Sequence, residues 1–192
     1  RAVQGVYELG STFKIFAVAQ ALELGLVNPE TMVDTRGPLT WGRFRIRDFH
    51  DYGAQLTATK VIVKSSNIGT ARIAQMIGAG RQQEFLKSLG FFEPTSLEIV
   101  EAAGGKPLVP QRWPAVTAAT VAFGHGLAAS PLHLASAYAT IANDGHRVRP
   151  TRVGSAWWCR PTPTAPCRWC CGTSCCSRPR PTRSPHATPS PS

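Results

Sequence analysis

The sequence predicts a mainly helical globular domain over residues 1–153, followed by a tail, residues 154–192, of unrelated composition. Three observations carry this. Apolar residues recur at helical spacing in a series of segments, most of them closed by a glycine. Only one stretch, residues 41–49, alternates as a strand does. All 11 acidic residues lie within 1–153, where 16 Lys and Arg leave a surplus of +5, whereas the tail adds another +5 from five Arg and no acid. The tail also holds all 6 Cys, 8 of the 16 Pro and 3 of the 5 Trp. The net charge of +10 therefore blends two unlike segments and does not point to a nucleic-acid partner. No apolar run approaches the roughly 18–20 residues of a membrane span. The chain opens on Arg1, and no signal peptide is expected from the residues that follow. Coiled-coil, collagen-like and wholly disordered readings are excluded for residues 1–153, and no internal repeat is found.

Each element follows in order. From Ser11, the residues Phe13, Phe16, Val18, Ala19 and Leu22 describe a helix stopped by Gly25. So little of it is polar that it is expected to be buried on most sides. Residues 26–56 read as irregular, apart from the alternation at 41–49. There Phe44 and Ile46 fall on one face and Arg43, Arg45 and Arg47 on the other, a half-exposed strand with solvated arginines. Thr57 is placed to cap a short helix carrying Val61, Ile62 and Val63. Ser65-Ser66-Asn67 interrupts it, and a second helix carries Ile68, Ala71, Ile73, Ala74 and Ile77 up to Gly78. A third is expected from about Arg81 to Leu89, ended by Gly90, and residues 91–113 read as loop. Phe123-Gly-His-Gly126 is a tight backbone passage. Ser130-Pro131 pairs an N-cap with proline at the first helical position, opening a helix with Leu134, Ala135, Tyr138 and Ile141 that Asn143-Asp-Gly145 ends.

Two short patterns could carry chemistry. Ser11 and Lys14 are three residues apart, a spacing that puts both on one helix face. A helix N-terminus beside Ser11, and an apolar setting that lowers the lysine pKa, would make the pair a nucleophile and its base. An N-cap serine with a snorkelling lysine has the same spacing. Ser65 and Asn67 sit in a helix break, where a hydroxyl could relay a proton and a carboxamide could hold a substrate carbonyl; ordinary helix capping is the plainer account.

Taken together and in order, the patterns resemble the penicillin-recognising serine acyl-transferases, whose motif set is S-x-x-K, S-x-N and K-[ST]-G. Arg1-Ala-Val-Gln-Gly-Val-Tyr-Glu-Leu-Gly-Ser-Thr-Phe-Lys14 is similar to the nucleophile segment of class B penicillin-binding proteins, and Lys64-Ser-Ser-Asn-Ile-Gly-Thr-Ala71 to their second motif. Phe123-Gly-His-Gly-Leu127, Ser130-Pro-Leu-His-Leu134 and Ala142-Asn-Asp-Gly145 continue in that family's order, so the resemblance covers about residues 1–153. It implies an α/β transpeptidase fold, represented here mainly by its helical part with the central sheet largely missing. It implies Ser11 as nucleophile, Lys14 as general base, Ser65 as proton shuttle and Asn67 as the group that binds the substrate amide. The substrate would be a peptidoglycan stem peptide ending in D-Ala-D-Ala, β-lactams would acylate Ser11, and no metal or organic cofactor is implied. Divisome membrane proteins would be partners, at the periplasmic face of the bacterial inner membrane. The anchor and first strands of the catalytic domain would precede Arg1. Under the same resemblance Ser11, Lys14, Ser65 and Asn67 should converge on one cleft, with the Ser11 hydroxyl within or close to hydrogen-bond reach of the Lys14 amine. His125, Lys60 and Lys64 are expected to be ordinary loop and solvated helix residues.

The family's K-[ST]-G triplet does not occur in the 192 residues. That strand contributes oxyanion-hole donors, and losing even one donor costs about 100- to 1000-fold in rate. The chain is therefore expected to be an inactive fragment. A related D,D-carboxypeptidase or β-lactamase is the alternative enzyme, disfavoured for want of a deacylating carboxylate near S-x-N. A non-catalytic β-lactam sensor or divisome module is the alternative outside enzymes. In the tail, Cys167-Arg-Trp-Cys170 has zinc-like spacing without a matching His pattern. Its Trp and Cys clusters are better explained by codons. TGG TGG TGC, displaced by one base, reads as a valine run, so a frameshift near Gly154 and a disordered tail are expected.

Overall fold

The computed structural model describes residues 2–42, 44–95, 97 and 105–151; the tail and its expected disorder lie outside the described residues. The order of elements is β1 (Tyr7–Glu8), a 3₁₀ turn (Gly10–Phe13), α1 (Lys14–Glu23), β2 (Met32–Asp34), β3 (Leu39–Trp41), β4 (Phe44–Ile46) and β5 (Gln55–Thr57). It continues with α2 (Ala58–Val63), α3 (Asn67–Ile77), α4 (Ala79–Ser88), α5 (Ala115–Ala122), β6 (Ala128–Ala129) and α6 (Pro131–Ala142).

Helix capping follows the sequence. Thr57 Oγ1 accepts from the Lys60 N–H, Ser66 Oγ from Gly69 N–H and Ser130 Oγ from His133 N–H. Each thereby satisfies an N–H that the first turn of a helix leaves without a partner. Gly78, at φ +84°, closes α3 and starts α4. The α4 helix begins two residues before the expected Arg81 for that reason. The helix expected from Ser11 opens instead as a 3₁₀ turn, and regular α-helix begins at Lys14.

The strands depart further from expectation. Three two-stranded antiparallel ladders are present among the described residues, β1–β6, β2–β5 and β3–β4. Only the β3–β4 hairpin falls where alternation is visible. In it Ile46 is buried but Phe44 is 63% exposed, so the two do not share a buried face. The hairpin is too short to cover both: Ile46 pairs with Leu39 over α3, while Phe44 pairs with Trp41 at the turn. The α5 helix, AVTAATVA, has Thr117 and Thr120 as its polar residues and no charge, too weak a periodic contrast to mark it in the sequence.

The core gathers around α1. Phe13, Phe16 and Phe91 meet edge-to-face with centroids 4.9–5.3 Å apart, a favoured arrangement of aromatic quadrupoles. On its other side, Val18 and Ala21 join Val33, Leu56, Val61, Ile73 and Ile77. Between these clusters Ala17, Ala74 and Ala122 form a seam of small side chains that lets α1, α3 and α5 approach closely.

Candidate active site

Ser11 lies in the 3₁₀ turn, exposed like Thr12 after it, two residues before the buried Phe13. The turn is held from outside. Gly10 donates its N–H to the Gly124 carbonyl at 3.2 Å, and Tyr138 Oη donates to the Thr12 carbonyl at 2.6 Å. Glu8, just upstream, accepts from Gly126 N–H at 2.8 Å and meets His125 Nδ1 at 3.1 Å. Those two contacts lower the Glu8 carboxyl pKa, the backbone hydrogen bond most. A Cβ on Gly124 would stand 2.1 Å from the Gly10 carbonyl oxygen. Only glycine lets the two backbones meet, and the sequence's tight 123–126 passage is the other half of the Ser11 turn. His125 is the loop residue expected of it, and Lys60 and Lys64 are exposed.

Lys14 is 2% exposed. Its Nζ donates to Ser65 Oγ at 2.9 Å and to the Ser65 carbonyl. Burial lowers its pKa from 10.5 to about 8, against an opposing pull from the negative charge of Asp48. Near pH 8 the amine is thus divided between its charged and neutral forms and can take up a proton. No hydrogen bond joins Ser11 Oγ to Lys14 Nζ among the described residues; the amine is directed to Ser65, across 51 positions of sequence.

Ser65 occupies the left-handed region at φ +55°. For a residue with a Cβ that conformation is strained, and its surroundings must impose it. They do so through Ser66 and Asn67. Ser66, fully buried, donates from Oγ to Asp48 Oδ2 at 2.6 Å. Asp48 Oδ1 accepts from Asn67 N–H and from Ile68 N–H at 2.9 Å. The Asn67 amide donates to the Arg47 carbonyl at 2.9 Å, leaving its carbonyl oxygen and one amide hydrogen. Lys14, Ser65 and Asn67 therefore meet around the break between α2 and α3. Asp48 is the residue that sequence reading missed. Its signal was slight: it is the only acid between Thr35 and His50, among four arginines. Among the described residues no group of three His, Cys, Asp or Glu is arranged to hold a metal ion.

A serine-bearing turn docked on a glycine passage, and a buried lysine bridged to an S-x-N break, define a serine-and-lysine site on a helical scaffold. Residues 1–162 match the family model of the penicillin binding protein transpeptidase domain, and the chain belongs to that family. It is 40% identical over 153 residues to the probable peptidoglycan D,D-transpeptidase FtsI of Caulobacter vibrioides, covering 80% of this chain and 26% of that one. Two solved structures share the fold. One is a peptidoglycan glycosyltransferase from Burkholderia ambifaria (TM-score 0.73, 33% identity, 82% of this chain and 51% of that one). The other is the transpeptidase domain of Burkholderia pseudomallei penicillin-binding protein 3 (TM-score 0.69, 35% identity, 76% and 44%). The chain spans about a quarter of the length of the curated relatives it matches. No helix among the described residues is long and apolar enough to cross a membrane.

Proposed function

We propose that this chain carries the nucleophile side of a peptidoglycan D,D-transpeptidase site. Ser11 Oγ attacks the carbonyl between the two terminal D-Ala residues of a stem peptide. Neutral Lys14 takes the hydroxyl proton, and Ser65 passes a proton to the departing amine, so the C–N bond breaks and D-Ala leaves. The remaining amide hydrogen and carbonyl of Asn67 hold the stem. An amine of a neighbouring stem then attacks the Ser11 ester, forming the cross-link and restoring the hydroxyl. β-Lactams acylate Ser11 by the same first step. The whole protein works at the periplasmic face of the inner membrane with divisome membrane proteins.

The observation that carries this reading is the Lys14–Ser65 contact: a buried amine with a pKa of about 8, hydrogen-bonded at 2.9 Å to the first residue of S-x-N. A lysine that only snorkelled would keep its charge in water. Family membership and the identity to D,D-transpeptidases give it further support.

The 192 residues contain no K-[ST]-G, so this polypeptide alone is expected to show negligible transpeptidation and little or no stable labelling by fluorescent penicillin. Residues 1–153 joined to preceding family strands and a following K-[ST]-G strand are expected to label, and Ser11→Ala to abolish that labelling. Labelling that survives Ser11→Ala would overturn the assignment.

A further inference from the structure

On the flank of α3 away from its N-terminus lies a cleft of about 390 Å³ that the proposed acyl transfer does not use. Its walls include Arg36, Thr40 and Trp41 on one side and Arg72 and Gln75 on the other, with no acidic side chain among the lining residues. The segment forming one wall is pinned to the helix. A Cβ on Gly37 would come 2.2 Å from Ile68 Cδ1, so the strand approach crosses α3 in contact there and leaves the gap beside it.

The charge balance in this cleft is incomplete. Asp34, the nearby carboxylate, is taken by Arg36. It accepts from the Arg36 backbone N–H at 2.9 Å and from Nε and Nη2 at 3.0 and 2.9 Å. Arg72 is left with a 3.9 Å approach to the same carboxylate and a long 3.4 Å bond from Nη1 to Gln75. Its Nε is buried without a hydrogen-bond partner among the described residues. Buried donors are nearly always satisfied, and a guanidinium is matched best by a planar anion taking two N–H groups at once. An adjacent indole adds a flat apolar wall for the group that bears the anion.

We infer that the Arg72–Trp41 cleft binds a carboxylate, such as the free C-terminus or acidic side chain of a peptide. The guanidinium takes the two oxygens, Gln75 swings from Arg72 toward the ligand, and Trp41 covers its apolar stem. This site is independent of acylation at Ser11.

The test is an NMR titration of the full chain, following the Arg72 Nε–H and Trp41 indole N–H resonances. The probes are an N-acetylated tripeptide with a free C-terminal carboxylate, the same tripeptide as its carboxamide, and inorganic phosphate. The carboxylate peptide is expected to shift both resonances and to bind at least tenfold more tightly than the carboxamide or phosphate. Arg72→Gln should remove that preference. Arg72→Lys should restore little of it, since the fork and not the charge alone is read. Arg45→Gln, an exposed cation outside the cleft, should leave it intact. Equal affinity for carboxylate and carboxamide, tighter binding of phosphate, no binding by any probe, or a preference that survives Arg72→Gln would each overturn the proposal.

Discussion

Lys14 illustrates a residue whose chemistry works against the stability of the fold. Lowering an amine pKa from 10.5 to about 8 means that folding disfavours its charged form, by on the order of 3 kcal/mol. That cost is present in full below pH 8. It is relieved as pH rises toward 10.5, where the unfolded amine also loses its proton. Lys14→Met is therefore expected to raise the unfolding free energy at pH 7 by about 1–3 kcal/mol, less whatever the lost Ser65 contacts contributed. Urea melts at a series of pH values should show the gain shrinking between pH 8 and 10.5. Asp48 acts in the opposite sense, because its charge holds the Lys14 pKa up. Asp48→Asn should lower the midpoint of an NMR titration of Lys14 Cε. It should also destabilise the fold by about 1–3 kcal/mol, because a carboxamide cannot accept the Ser66 hydroxyl hydrogen while also serving the Asn67 and Ile68 N–H groups.

At the scale of elements, the Ser11 turn and the 123–126 passage form one unit by backbone contact. Gly124→Ala places a methyl against the Gly10 carbonyl as well as at φ +85°, whereas Gly126, also at φ +85°, has nothing nearer than Thr120 Oγ1 at 3.7 Å. Calorimetric melting is expected to show Gly126→Ala costing about 1–2 kcal/mol, the strain alone. Gly124→Ala should cost more and shift the Gly10 amide resonance; equal losses would show that the two backbones are not in contact. How much of the elements could be read in advance depended on what leaves a mark in the side chains. Ser66, Thr57 and Ser130 mark helix starts because a capping hydroxyl must be there, and Gly78, Gly90 and Gly145 mark ends because positive φ is needed there. The β2 and β5 strands are three residues each, too short for alternation to be recognised, and their pairing across residues 32–57 is a tertiary fact. Ser11 and Lys14 were legible as a spacing. The direction of the amine, toward Ser65 and not Ser11, was not, because it depends on how α1 packs against the α2–α3 break.

For the whole molecule, the described residues gather around α1, which contributes to both large core clusters and to the alanine seam. The family's helical layer was legible because its helices are amphipathic or capped; α5, with two threonines, no charge and no side-chain cap, left no such mark. Glu8 is tied to Gly126 across 118 positions, and Thr12 to Tyr138 across 126. A ribosome makes the Ser11 segment well before the residues that support it, at separations of 118 and 126 positions. Until those supports emerge, the chain has Ser11 and Lys14 but not the contacts that hold the turn from outside, and the local helices can form first. The Ser11 turn is thus seated only after Gly124 and Tyr138 have left the exit tunnel.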